Sequence, residues 1–234
     1  MSEIWSALGK AMVLIAGFDA DLVEIIGLSL RVSLTAVLIA AVVGLPVGAA
    51  VALFRFPGRP LLVVLINALM GLPPVVVGLI VYLLLSRAGP FGVFNLLYTP
   101  TAMIIAQAIL IGPIIAALTR QTVEDLWQEY GEQLTSFGVG PGRAVRTLLW
   151  DGRFSLMTGI LAGFGRASAE VGAVMIVGGN IDHLTRVMTT SIALETSKGN
   201  LEIALALGII LLIIALGINA SAYAIRDMAY RAES

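Results

Sequence analysis

Residues 60–86 read PLLVVLINALMGLPPVVVGLIVYLLLS, with no Asp, Glu, Lys or Arg among them. A helix crossing the hydrocarbon of a bilayer needs about 20 apolar residues at about 1.5 Å each, so this run is long enough to span. Working outward, residues 32–54, 88–119 and 203–225 are equally free of charge, and residues 154–179 are interrupted by Arg166 and Glu170 alone. These five runs predict an all-α, polytopic membrane protein. Composition agrees: 59% of the residues are hydrophobic and 12% charged, against about 25% charged in soluble domains. Mean hydropathy is +0.98.

With no cysteine in the chain, disulfide frameworks, thiolate nucleophiles and cysteine metal sites are excluded together. The lone His183 has no second histidine to share an ion, so it reads as a solvated loop histidine and no metal site is expected. A net charge of -1 without a basic cluster gives no footprint for nucleic acid. Gly9-Lys10 is followed by Ala11 and lacks the upstream glycine spacing of a P-loop. No nucleotide site or other cofactor is therefore expected in this chain. Nor do its charged groups at membrane depth supply the paired catalytic residues of an intramembrane protease.

Ahead of the first run, Ile4, Leu8, Met12 and Ile15 recur at helical spacing with Trp5 beside them. This pattern suits a helix lying in the interface over residues 1–23, followed by one transmembrane domain over 24–228. Five spans put the termini on opposite sides. One set of loops carries Arg55, Arg59, Arg120, Arg143, Arg146, Arg153, Arg226 and Arg231, the other Lys10, Arg31, Arg87, Arg186 and Lys198. Positive residues accumulate on the cytoplasmic side, so the N-terminus is expected outside and the C-terminus inside.

Small residues and prolines punctuate the runs. Gly44, Gly48, Gly159 and Gly163 read as close-packing positions. The consecutive Pro73-Pro74 reads as a kink that either packs or lines a pathway. Arg166 and Glu170, four apart on one helix face, can pair and so lessen a burial cost of roughly 2.5 to 3.5 kcal/mol per central charge. The pair is equally a path element, a structural link between helices or a snorkelling end. Thr189, Thr190, Ser191, Thr196 and Ser197 form a hydroxyl-rich stretch between the last two runs, read for the most part as an external loop or re-entrant turn.

The longest polar interval, residues 119–153, contains Glu132-Gln133-Leu134-Thr135-Ser136-Phe137-Gly138, with Arg143 and Arg146 soon after. Gly138-Val139-Gly140-Pro141-Gly142 reads as a helix stop and turn. A membrane protein that holds a helical charged segment outside the bilayer commonly needs it for a partner.

Glu132 followed six residues later by Gly138 resembles the EAA-type signature of permease subunits in bacterial ABC importers. Gln133 and Leu134 stand where that family has two alanines, and Leu148-Leu149-Trp150-Asp151 where it ends I-x-L-P. Phe164-Gly165-Arg166-Ala167-Ser168-Ala169-Glu170-Val171-Gly172-Ala173 and Val177-Gly178-Gly179-Asn180 are similar to the sulfate, molybdate and tungstate permeases. The stretch from Thr189 to Gly199 looks like the tungstate branch. With Gly71-Leu72-Pro73-Pro74 the resemblance covers residues 28–224.

The resemblance implies a type I importer permease core that forms the path for an oxyanion, tungstate or molybdate, in a bacterial or archaeal cytoplasmic membrane. Its partners would be a second copy of the chain, an ABC ATPase dimer carrying ATP and magnesium, an extracytoplasmic oxyanion-binding protein and the lipid bilayer. Residues 119–153 would hold the coupling segment, with Glu132, Gln133, Leu134, Thr135, Phe137, Gly138, Gly140 and Arg143 as its ATPase-facing set. Pro73, Pro74, Arg166, Ser168, Glu170, Thr189 and Thr190 are the candidate path residues. A gradient-driven transporter or channel built on Arg166 and Glu170, or a membrane scaffold, are the competing expectations.

Overall fold

The computed structural model describes residues 20–233 and, ahead of them, Trp5, Ser6, Gly9, Val13 and Gly17. The expected interfacial helix rests on Ile4, Leu8, Met12 and Ile15, which lie outside the described residues. The described helices are α1 (Ala20–Leu53), α2 (Arg59–Leu69), α3 (Pro74–Leu85), α4 (Pro100–Ser136), α5 (Pro141–Asp151), α6 (Arg153–Ser168), α7 (Gly172–Gly178), α8 (Met188–Ser197) and α9 (Leu201–Glu233). A short 3-10 turn, Gly92–Phe94, precedes α4.

Three helices are long and apolar enough to cross a membrane, namely α1, α4 and Leu201–Ala224 of α9. Run 60–86 is not one straight helix, because α2 and α3 meet at 102°. The cause is local. Pro73 precedes Pro74 and is held extended, at φ -64 and ψ 121, since a residue before proline is driven out of the helical region. Helices α6 and α7 meet at 59°, with Ala169, Glu170 and Val171 and no proline between them.

Packing direction decides what these bent pairs do. Along α1, Gly44 faces Ile115 and Gly48 faces Ala116 and Thr119, so α1 and α4 run parallel. Leu22 packs with Ala206, Leu207 and Ile210, and Ile218, further along, meets the cluster that includes Ala36 and Ala41, so α9 is parallel as well. Three parallel spans need two returns. The α2–α3 pair supplies one and α6–α7 the other, which makes five crossings in all.

The contact between α1 and α4 is the frame of the molecule. A Cβ on Gly48 would lie 2.4 Å from the Ala116 carbonyl oxygen, and one on Gly163 of α6 would lie 2.7 Å from Ile111. Glycine is required at Gly48, where the α4 backbone approaches this closely, whereas at Gly163 the neighbours are the Ile111 and Ile115 side chains. Around these crossings pack Ala36, Val37, Ala40, Ile111, Ile115, Phe164 and Ala167.

Two expected boundaries shift. The run 88–119 enters its helix only at Pro100, because Asn95 and Tyr98 adopt left-handed backbone within a segment punctuated by Gly89, Pro90 and Gly92. The hydroxyl-rich stretch is helix α8, not a loop, and Thr189, Thr190 and Ser191 are buried in its first turn. The two threonine hydroxyls satisfy backbone groups at a helix junction: Thr190 Oγ1 accepts from the Val187 N–H at 3.0 Å, and Thr189 Oγ1 donates to the Glu170 carbonyl at 2.8 Å, while Ser191 Oγ is buried without a partner among the described residues. Only Thr196 and Ser197 are exposed, as expected of a surface segment.

Candidate functional site

The polar interval 119–153 is not a separate loop. Helix α4 continues through it without a break to Ser136, and the chain then reverses over four residues into α5. Because 37 residues of α4 at about 1.5 Å each exceed a hydrocarbon layer of about 30 Å, the polar end projects beyond the bilayer as part of the spanning helix itself. Its end is a Schellman motif. The Val139 N–H donates to the Leu134 carbonyl and the Gly138 N–H to the Thr135 carbonyl, each at 2.9 Å, with Gly138 at φ +71. Leu134 and Val139 turn inward onto Ala49, Ala52, Leu53, Val123, Ala144 and Leu148.

This folding gathers the expected coupling residues at one knuckle. Glu132, Gln133, Thr135 and Gly138 are exposed, and Phe137 at the tip is 79% exposed. Gly140 caps α5, with Pro141 at its first position, where a missing N–H costs nothing. Arg143 donates from Nη2 to the Gly138 carbonyl at 3.1 Å, so it braces the turn. Leu134 is the member that faces the interior.

A second cluster sits where α4 leaves the apolar layer. Arg59 donates from Nε to the Val51 carbonyl at 2.7 Å and from Nη2 to the Ala52 carbonyl at 3.2 Å, satisfying carbonyls that the end of α1 leaves unpaired. Its Nη2 also pairs with Glu124, whose other oxygen pairs with Arg120. The Arg120 and Glu124 spacing of four was legible in sequence. The third partner, 65 residues away, was not.

At membrane depth the structure brings Arg166, Ser168, Glu170 and Thr189 together. Arg166 Nη1 donates to Glu170 Oε2 at 2.7 Å, and the Ala173 N–H donates to Glu170 Oε1 at 3.0 Å. Glu170 thereby caps α7 across the α6–α7 bend. Its side chain is 4% exposed, that of Arg166 34%. Gln107, which sequence reading passed over, donates to the Ala167 carbonyl at 3.1 Å, while its Oε1 is buried without a partner among the described residues. An amide set in the otherwise apolar stretch 102–111 was the available signal.

Ser29, Ser33, Gln107, Ser168, Glu170 and Thr189 share a cavity with apolar residues of α1, α6 and α9, and about 30 Å³ of it is open to water. A water needs about 10 to 15 Å³ in this measure, so the cavity has room for a few waters. Thr190 lies beside the site and bonds locally to Val187. Pro73 and Pro74 do not line it. The break they form lies next to the other one, since a Cβ on Gly172 would come 2.9 Å from Val75.

The exposed face of α6 differs from the other exposed faces. It presents Ser155, Thr158, Ala162, Gly165 and Ala169 at helical spacing, with the half-buried Arg166 beside them. The exposed faces of α1, α3 and α9 carry large apolar residues such as Leu38, Val42, Leu79, Leu83, Leu212 and Leu216, as lipid contact requires.

Around the other end of α1, charges pair across elements. His183 Nδ1 lies 2.9 Å from Glu24, and the hydrogen bond and charge of Glu24 hold the imidazole pKa above its ordinary value. Lys198 and Asn200, each 2.8 Å from Glu195, hold that carboxyl below the usual range.

Residues 44–231 match the family model of the binding-protein-dependent transport system inner membrane component. The chain is 41% identical to a tungstate uptake system permease protein of Peptoclostridium acidaminophilum, over 97% of this chain and 100% of that protein. It is 42% identical to a probable anion ABC transporter permease protein of Haloferax volcanii, over 88% of this chain and 91% of the relative. A second tungstate uptake system permease protein, from Campylobacter jejuni, is 34% identical over 94% and 92% of the two chains.

Proposed function

The chain belongs to the binding-protein-dependent transport system inner membrane components, and from that premise we propose that it is the permease subunit of an ATP-driven importer whose cargo is tungstate. The single observation that carries the cargo is its 41% identity, over the full length of the relative, to a tungstate uptake permease. Molybdate is the second candidate, being a tetrahedral oxyanion of the same charge. A dianion cannot cross an apolar layer bare, so a protein path is needed.

In this reading two copies of the chain face each other through the small, polar face of α6, which lines the path. The N-terminus is outside and the α4–α5 knuckle is cytoplasmic, where it meets a separate ATPase dimer carrying ATP and magnesium. An external binding protein delivers the ion on the opposite side. What supports the knuckle as the ATPase contact is its position at the end of a continuous spanning helix: a push on Phe137 travels along α4 to Arg59 and Glu124, and so to α1. The driving energy is the difference in the ATPase's affinity for two permease states.

A carrier driven by an ion gradient through Arg166 and Glu170 is disfavoured. Glu170 is buried and uses both carboxylate oxygens in capping and pairing, so it holds the α6–α7 bend and is not free to change partners.

The test is purification of the chain with its ATPase partner and reconstitution into vesicles containing external binding protein. ATP-dependent uptake of tungstate, competed weakly by molybdate and poorly by sulfate, is expected. Uptake at full rate without an ATPase would overturn the importer reading, and a preference for sulfate would overturn the cargo.

A further inference from the structure

An open groove runs between Pro46 of α1 and the outer side of α5, lined by Val145, Arg146, Thr147, Leu149 and Trp150. Pro46 falls on the same face of α1 as Val42 and Leu38, which are 65% and 64% exposed. The apolar wall therefore continues from the groove along the lipid-facing side of α1 for about 12 Å. Helix α5 is bolted to the end of α1 through Ala144 and Leu148, which are fully buried against Ala49, Ala52 and Leu53. The groove thus opens at the boundary of the bilayer.

Its chemistry is amphipathic. Arg146 is exposed and makes no ion pair or hydrogen bond among the described residues. One turn on, Trp150 is 68% exposed, and Arg153 stacks on it at 4.9 Å. A planar guanidinium recognises phosphate through two parallel hydrogen bonds. Tryptophan sits by preference at the headgroup level.

We propose that this groove is a binding site for an anionic phospholipid, with Arg146 on the headgroup phosphate, Trp150 beside the glycerol region and one acyl chain along Pro46, Val42 and Leu38. A soluble partner could cover Arg146 and Trp150 but not the stripe that descends into the bilayer, which is why lipid fits the whole surface. The net positive charge selects anionic over zwitterionic headgroups. One arginine near a membrane surface is worth about a fivefold preference.

The full-length chain carrying Trp5→Phe and Trp127→Phe retains Trp150 alone of its three tryptophans. In vesicles mixing phosphatidylglycerol and phosphatidylcholine, with one or the other brominated, quenching of Trp150 reads which lipid occupies the groove. About a fivefold preference for phosphatidylglycerol is expected, falling to parity in Arg146→Gln and only in part in Arg146→Lys. Equal quenching by both lipids in the unmodified groove, or a preference that survives Arg146→Gln, would overturn the proposal. So would loss of ATPase co-purification in Arg146→Gln with an unchanged lipid ratio, since the groove would then be a protein contact. None of these outcomes depends on which ion is carried.

Discussion

Arg59 and Glu124, 65 residues apart, pair at the point where α4 leaves the apolar layer, while the same arginine caps the carbonyls of Val51 and Ala52. One guanidinium therefore joins the end of α1, the start of α2 and the side of α4. Removing the carboxylate would leave Arg59 and Arg120 facing each other. Both side chains of the Arg59 pair are about 30% exposed, so solvent screens part of the loss, and Glu124→Gln is expected to destabilise by about 1 to 2 kcal/mol. Thermal unfolding in detergent should show a lower midpoint for Glu124→Gln, and none for the exposed neighbour Asp125→Asn. Equal midpoints would deny the joint any structural weight.

The crossing of α1 on α4 at Gly48 gives a sharper test. An alanine there would place Cβ 2.4 Å from the Ala116 carbonyl oxygen and 2.8 Å from Thr119 Cβ, distances that force the helices apart. Gly48→Ala is expected to cost about 2 to 3 kcal/mol, the scale of an overpacked contact. Gly217→Ala, inside α9 with nothing within 4 Å of its Cβ and no proline after it, is expected to gain about 0.5 to 1 kcal/mol from the lost backbone freedom of glycine. Opposite signs at the two glycines, read from midpoints of unfolding, check the packing.

Charge-free length identified the apolar runs in sequence, and the glycines at 44, 48, 159 and 163 marked where helices touch. What run length could not convey was direction. Residues 60–86 satisfy the length rule as one span, yet the geometry forced by Pro73 before Pro74 makes them two helices at 102°. The hydroxyls of Thr189 and Thr190 resembled a surface segment because their partners, the Glu170 carbonyl and the Val187 N–H, are backbone groups that composition does not reveal. Arg59 with Glu124, and the Met188 N–H with Ser29, are long-range pairs, and no local spacing announces them.

Arg166 and Glu170 should behave as a unit. Glu170→Gln leaves Arg166 without its counter-charge, and Arg166→Met leaves a buried carboxylate with a backbone N–H for company. Arg166→Met, which strands a carboxylate 4% exposed, is expected to cost about 3 kcal/mol, and Glu170→Gln, which strands an arginine 34% exposed and partly screened by solvent, about 1 to 2 kcal/mol. The double variant should cost well under the sum, since neither then strands a charge. A double-mutant cycle on unfolding midpoints measures this coupling, and strict additivity would show that the two side chains do not interact.

His183 offers a spectroscopic probe, being the only histidine in the chain. Glu24 beside it, first by hydrogen bond and then by charge, raises its pKa above 6.5 in the folded state. A raised folded value means that the stabilisation is complete below about pH 6.5 and is lost as pH rises through the folded value. With side chains 64% and 47% exposed, the stability effect is small, so titration is the better readout. By NMR, Glu24→Gln is expected to bring the His183 midpoint down toward 6.5. A midpoint that does not move would mean the pair does not form in solution.

Gly138 separates conformation from contact at the knuckle. Its φ is +71, and a Cβ there would meet nothing within 4 Å, so any cost of substitution comes from the backbone alone. Left-handed geometry costs an ordinary L-residue about 1 to 2 kcal/mol, least for asparagine. A β-branched residue suffers most. Gly138→Asn should therefore keep the turn, Gly138→Ala weaken it and Gly138→Val open it, in that order. If this turn carries the force of the ATPase, ATP-dependent uptake should fall along the same series while the fold of the spans, read by unfolding midpoint, changes little. An Asn variant as inactive as the Val variant would point instead to a need for bare backbone against the partner. A fully active Val variant would remove the knuckle from the coupling path altogether.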